Sequence, residues 1–126
     1  MKLVINTCFG GFELSPDAYR WLAERRGVEC HFHKWSGGIL SDTVPIRDGE
    51  PMGIFWHAKD QHGNFIDNMR GDRSNPLLVE LVETLGDKAS GQCASLKVVE
   101  IPDGIDWEIG EYDGNESVHE RHRSWS

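Results

Sequence analysis

The chain has 126 residues, 38% hydrophobic and 27% charged, the balance of a folded domain rather than a disordered one. Its formal net charge of −8, from 21 acidic residues against 13 Lys and Arg, excludes a protein that grips nucleic acid through a basic face. Cys8, Cys30 and Cys93 are odd in number and form no CxxC pair, which argues against a disulfide framework. No window approaches 18 apolar residues, and the apolar start is too short for a secretory leader, so a cytoplasmic protein with reduced thiols and no membrane contact is expected.

Residues 2–6 (KLVIN) read as a strand running into the turn-forming stretch Cys8-Phe9-Gly10-Gly11. Ser15 as N-cap, Pro16 at the first position and Asp17 in the first turn predict a helix over Pro16–Arg26, stopped by Gly27. Residues 28–35 (VECHFHKW) alternate like a half-buried strand, with His31, His33 and Trp35 on one face. A long loop follows over 39–53, and residues 53–59 and 64–69 look like hairpin arms turning at 60–63.

Asn75-Pro76 repeats the cap-then-proline signal before an apolar stripe of Leu77, Leu78, Leu81, Val82 and Leu85, ending at Gly86 or running on to Ser90. Residues 96–101 (LKVVEI) predict a strand, with Trp107–Tyr112 as its antiparallel partner across the turn at 102–104. After a turn at Asp113-Gly114, residues 116–123 are expected to form a short closing helix. The sum is an α+β fold: two main helices on a mostly antiparallel sheet of about six short strands, in one domain over 1–126 with an insertion-like region at 36–73.

The opening KLVINTCFGGFELS, the stretch NPLLVELVETLGDKASG, the block LKVVEIPDGIDWEIGEYDG and the terminal HRSW resemble a family of small, uncharacterised proteins encoded by phages and prophages. The likeness covers about residues 1–27 and 74–126, while the middle departs from the family. It implies no catalytic residue. It implies a setting, an accessory protein inside an infected bacterial cell, where such proteins bind a host defence protein or a nucleotide signal.

Four constellations could carry chemistry. Arg70 and Arg73 with Ser74 and Asn75 precede a helix N-terminus, where free N–H groups and guanidinium forks favour an anion; the competing reading is a surface loop whose arginines pair with carboxylates. Trp35, Trp56 and Phe65 flank the middle loop and hairpin and could stack a purine, or could be core. His31, His33 and His57 could chelate zinc, though no HExxH or CxxC accompanies them. Eight carboxylates and no Lys or Arg occupy residues 100–120, a solvated face or a contact surface for a basic partner.

The leading expectation is therefore an anti-defence protein that sequesters a small nucleotide-derived anion without turnover. Its pocket would use Arg70, Arg73, Ser74, Asn75, the aromatics Trp35, Trp56 and Phe65, and the C-terminal Arg121 and Arg123. It needs no cofactor, and as a small domain it would build its pocket across a homo-oligomer. The alternatives are an acidic inhibitor of a defence or nucleic-acid-binding protein, and a metal hydrolase using the three histidines.

Overall fold

The computed structural model describes residues 1–35, 43–46 and 56–120. The fold is α+β, with two helices and seven antiparallel strands among the described residues. In chain order these are β1 (Lys2–Asn6), α1 (Pro16–Arg26), β2 (His31–Trp35), β3 (Thr43–Pro45), β4 (Trp56–Lys59), α2 (Pro76–Leu85), β5 (Leu96–Glu100), β6 (Trp107–Tyr112) and β7 (Asn115–Glu120). Two compact units emerge, one formed by residues 1–18 and 68–126, the other by 19–67. No described helix is long and apolar enough to cross a membrane.

The single sheet expected from the sequence is replaced by three small ones, β1-β5, β3-β2-β4 and β6-β7. Strand β5 pairs with β1, from Lys2 opposite Glu100 to Asn6 opposite Leu96, and not with β6 as expected. Strand β6 instead folds back on β7, so residues 115–120 are extended where a closing helix was expected. The reason is local. Asp113-Gly114 is a two-residue turn with both residues at positive φ, 49° and 86°, the mirror-image geometry whose twist matches a hairpin. That signal joins its flanking residues more directly than the longer connection through Pro102 and Gly104.

In the first unit α2 packs on β1 and β5. Its buried face is Leu78, Val79, Leu81 and Val82, against Leu3, Val4 and Ile5 among the buried residues of β1. Asn75 caps α2 by accepting the Leu77 N–H at 2.9 Å. The helix stops at Leu85 with Gly86 as its C-cap, the first of the two candidate endings, and a separate 3₁₀ turn, Gly86–Ala89, carries the chain on. Ser15 caps α1 as expected, its hydroxyl accepting the Ala18 N–H while donating to the Lys88 carbonyl.

In the second unit β2 pairs with β3 and β4, beginning at His31 rather than residue 28. Asp60 closes the turn after β4 by accepting the N–H groups of His62 and Asn64. The expected second arm reduces to a single bridge between Lys59 and Phe65 and an Ile66 N–H bond to Ala58. One face of this sheet is apolar: Ala58 is buried, and Trp56 meets Phe32 and Tyr19 edge-on, each at 5.6 Å.

Candidate functional site

The first unit holds the charge. Residues 1–18 and 68–126 contain 14 carboxylates against 7 Lys and Arg, whereas residues 19–67 contain 7 against 6. The acidic stretch at 100–120 runs from the end of β5 through the β6-β7 hairpin. Alternation puts Trp107, Ile109 and Glu111 on one face of β6, opposite Glu120, Val118 and Glu116 of β7.

Glu116 is buried, and two carboxylates placed opposite each other, Glu111 and Glu116, would repel. Arg73 resolves this. Its guanidinium forms a fork on Glu116, with Nη1–Oε1 at 2.5 Å and Nη2–Oε2 at 2.8 Å. Arg73 also donates to the carbonyls of Arg70 and Val4, and its guanidinium lies 4.3 Å from the Phe12 ring centroid. Burial pushes the Glu116 carboxyl up, but the bonds from Arg73 and from the Asn6 N–H, with the charges of Arg73 and Arg70, hold it below the usual range.

Asn6 completes the network. Fully buried, it donates through Nδ2 to the Gly114 and Cys8 carbonyls at 2.7 and 2.8 Å, and its Oδ1 accepts the Ser95 N–H at 2.8 Å. The hairpin turn is thereby pulled against the loop after β1 so closely that a Cβ on Gly114 would run into the backbone nitrogen of Gly11.

Above this floor lies a groove of about 660 Å³ between the 70–73 loop and β6. Arg70 and Arg73 face Asp106, Glu108, Glu111 and Glu116 there, with half-buried Trp107 contributing an indole. Strand β6 pairs with β7 alone among the described residues, so its other edge has no strand partner there.

The sequence-predicted residues divide among separate places. Arg70 is exposed at the groove, and Arg73 is the buried partner of Glu116. Ser74 lines a different hollow of about 550 Å³ beside Lys2, Pro76, Glu80 and Glu83. Asn75 is engaged by its helix and by a 3.2 Å bond to Asp72. In the second unit, Trp56 belongs to the apolar sheet face and Phe65, 65% exposed, lies against His57. Trp35 is the last residue of β2, and Arg121 and Arg123 lie outside the described residues.

The three histidines share one sheet face, His33 opposite His57 and His31 opposite Lys59. Among the described residues no three His, Cys, Asp or Glu side chains are grouped to hold a metal ion. Sequence reasoning missed Asn6 and Glu116. The Asp113-Gly114 turn could have revealed that Glu111 and Glu116 lie opposite each other and need a cation. Comparison with protein-family models, with curated proteins and with solved structures found no match.

Proposed function

We propose that the protein is an acidic binding module whose groove seats a Lys- and Arg-bearing segment of a partner protein. The observation that carries this reading is the groove lining: Asp106, Glu108 and Glu111 line it together with Trp107, over a floor where Arg73 is already committed to Glu116. A nucleotide-derived anion at Arg70 and Arg73 would sit among these carboxylates and compete with Glu116 for the guanidinium. A cation meets attraction there, and Trp107 offers a π-face to an ammonium or guanidinium. The resemblance of the chain ends to phage proteins supplies the setting, in which a host defence or nucleic-acid-binding protein presents the basic segment.

The test is calorimetric titration of an alternating Lys-Arg nonapeptide into the whole protein. Affinity is expected to fall about tenfold or more as salt rises from ~50 to ~300 mM, because exposed charges dominate the contact. Glu111→Lys, an exposed substitution, should weaken binding about tenfold or more at low salt. Binding that ignores both salt and Glu111→Lys would overturn the reading.

A further inference from the structure

Strand β6 ends in the two-residue turn Asp113-Gly114, and that turn fixes which of its peptide groups β7 uses. A turn with both residues at positive φ closes on a hydrogen-bonded pair, here Tyr112 with Asn115. Antiparallel pairs then alternate between bonded and non-bonded positions. Gly110 with Ser117 and Glu108 with His119 are therefore bonded, while Trp107, Ile109 and Glu111 turn their N–H and C=O groups toward the opposite edge. No backbone bond among the described residues reaches them there. The same three residues line the groove beside the 70–73 loop.

The two faces of this open strand differ in character. Trp107, Ile109 and the exposed Glu111 lie on the groove face. On the other face Tyr112, 75% exposed, meets Phe9, 61% exposed, edge-on with ring centroids 6.3 Å apart. An unpaired edge is a template for another strand, and charge decides which strand it accepts. The sequence of β6, WEIGEY, carries two carboxylates and no base. A second copy of the same edge would set like charges together, whereas a basic segment meets attraction.

We propose that the partner segment binds as an added β-strand, an extended run alternating basic and apolar residues, hydrogen-bonded to the outer edge of β6 through Trp107, Ile109 and Glu111. This rests on the reading of the groove as the seat of a basic segment, and adds the segment's conformation and its pattern. Main-chain bonds supply affinity that no side-chain pattern alters, and alternate side chains supply selectivity. Basic residues on one face meet Glu111 and the indole of Trp107. Apolar residues on the other face extend the exposed pair of Tyr112 and Phe9. Arg70, on the far wall of the groove, can donate to carbonyl oxygens that the added strand leaves on its own outer edge.

The test uses the whole, unaltered protein and an end-capped heptapeptide of alternating Lys and Val at low salt, read by calorimetry and by NMR hydrogen exchange. Binding should slow exchange of the Trp107, Ile109 and Glu111 amides about tenfold or more, while those of Glu108, Gly110 and Tyr112, already bonded to β7, change little. Two further peptides carry N-methyl groups on all the Lys or on all the Val amides, which leaves every charge in place. One of the two should bind about tenfold or more weakly and the other within about threefold of the parent, because alternate amides of a strand face opposite edges. Equal binding of both, with exchange at the three β6 amides unchanged, overturns strand addition and leaves the basic-segment reading standing. So does a heptapeptide that fails to bind where the Lys-Arg nonapeptide binds; failure of both peptides overturns the two readings together. Protection of the three amides that appears without peptide and grows with protein concentration would assign the edge to a second copy and overturn the proposal.

Discussion

Replacing Arg73 with alanine is expected to lower the free energy of unfolding by about 3–5 kcal/mol, a large share of the stability of a chain this size. The cause is the partner left behind. Glu116 is 9% exposed, and without the guanidinium fork it becomes a buried charge facing Glu111 across the hairpin. The Val4 and Arg70 carbonyls lose a donor at the same time. Urea denaturation measures the effect. The double substitution Arg73→Met with Glu116→Leu should recover the part of the loss that comes from the unpaired charge, while the Val4 and Arg70 carbonyls and the Asn6 N–H stay without these partners.

The same pair sets the acid limb of stability. With the Glu116 carboxyl held below its ordinary value, the unfolded chain binds more protons than the folded one across the intervening range. The contribution is complete above the ordinary glutamate value of about 4.3 and is lost as the pH falls through the lower, folded value. The double variant should lack this acid-sensitive component. A loss below about 1 kcal/mol on Arg73→Ala would mean that the fork is not part of the folded protein in solution.

Asn6→Leu should be nearly as damaging, costing about 3 kcal/mol or more, because it abandons several buried backbone groups at once. The Gly114 and Cys8 carbonyls lose their donor, and the Ser95 N–H loses its acceptor. Leucine keeps the branched outline of asparagine and leaves no cavity, so the penalty is not one of lost volume. Hydrogen exchange provides the check. The Ser95 amide should exchange much faster in the variant than in the parent, and equal protection in both would contradict the network described.

Much of this was legible before any coordinates. Ser15-Pro16 and Asn75-Pro76 announced both helices because capping is local chemistry, decided within three or four residues. The acid-rich composition of 100–120 announced a charged surface. Strand partnership was harder: Lys2 of β1 finds Glu100 of β5 and Asn6 finds Leu96, far along the chain, and nothing in either five-residue run names the other. The segment after Gly114 was misread as helical although its Asp-Gly turn favoured a hairpin. For the candidate site, Arg70 and Arg73 stood out by residue type. What they face could not, since Glu116 reaches Arg73 from 43 positions away. The histidine alternation was visible, but the opposing His57 and Lys59 depend on a register that only pairing reveals.

The groove is the center of the functional account, and backbone amide mapping by ¹⁵N NMR tests it directly. Adding the Lys-Arg nonapeptide at low salt should shift the signals of Gly71, Trp107, Glu108, Ile109 and Glu111 together, with saturable dependence on peptide. Shifts confined instead to other carboxylates, such as Glu24, Glu80 and Asp87, with residues 106–111 unmoved, would contradict it.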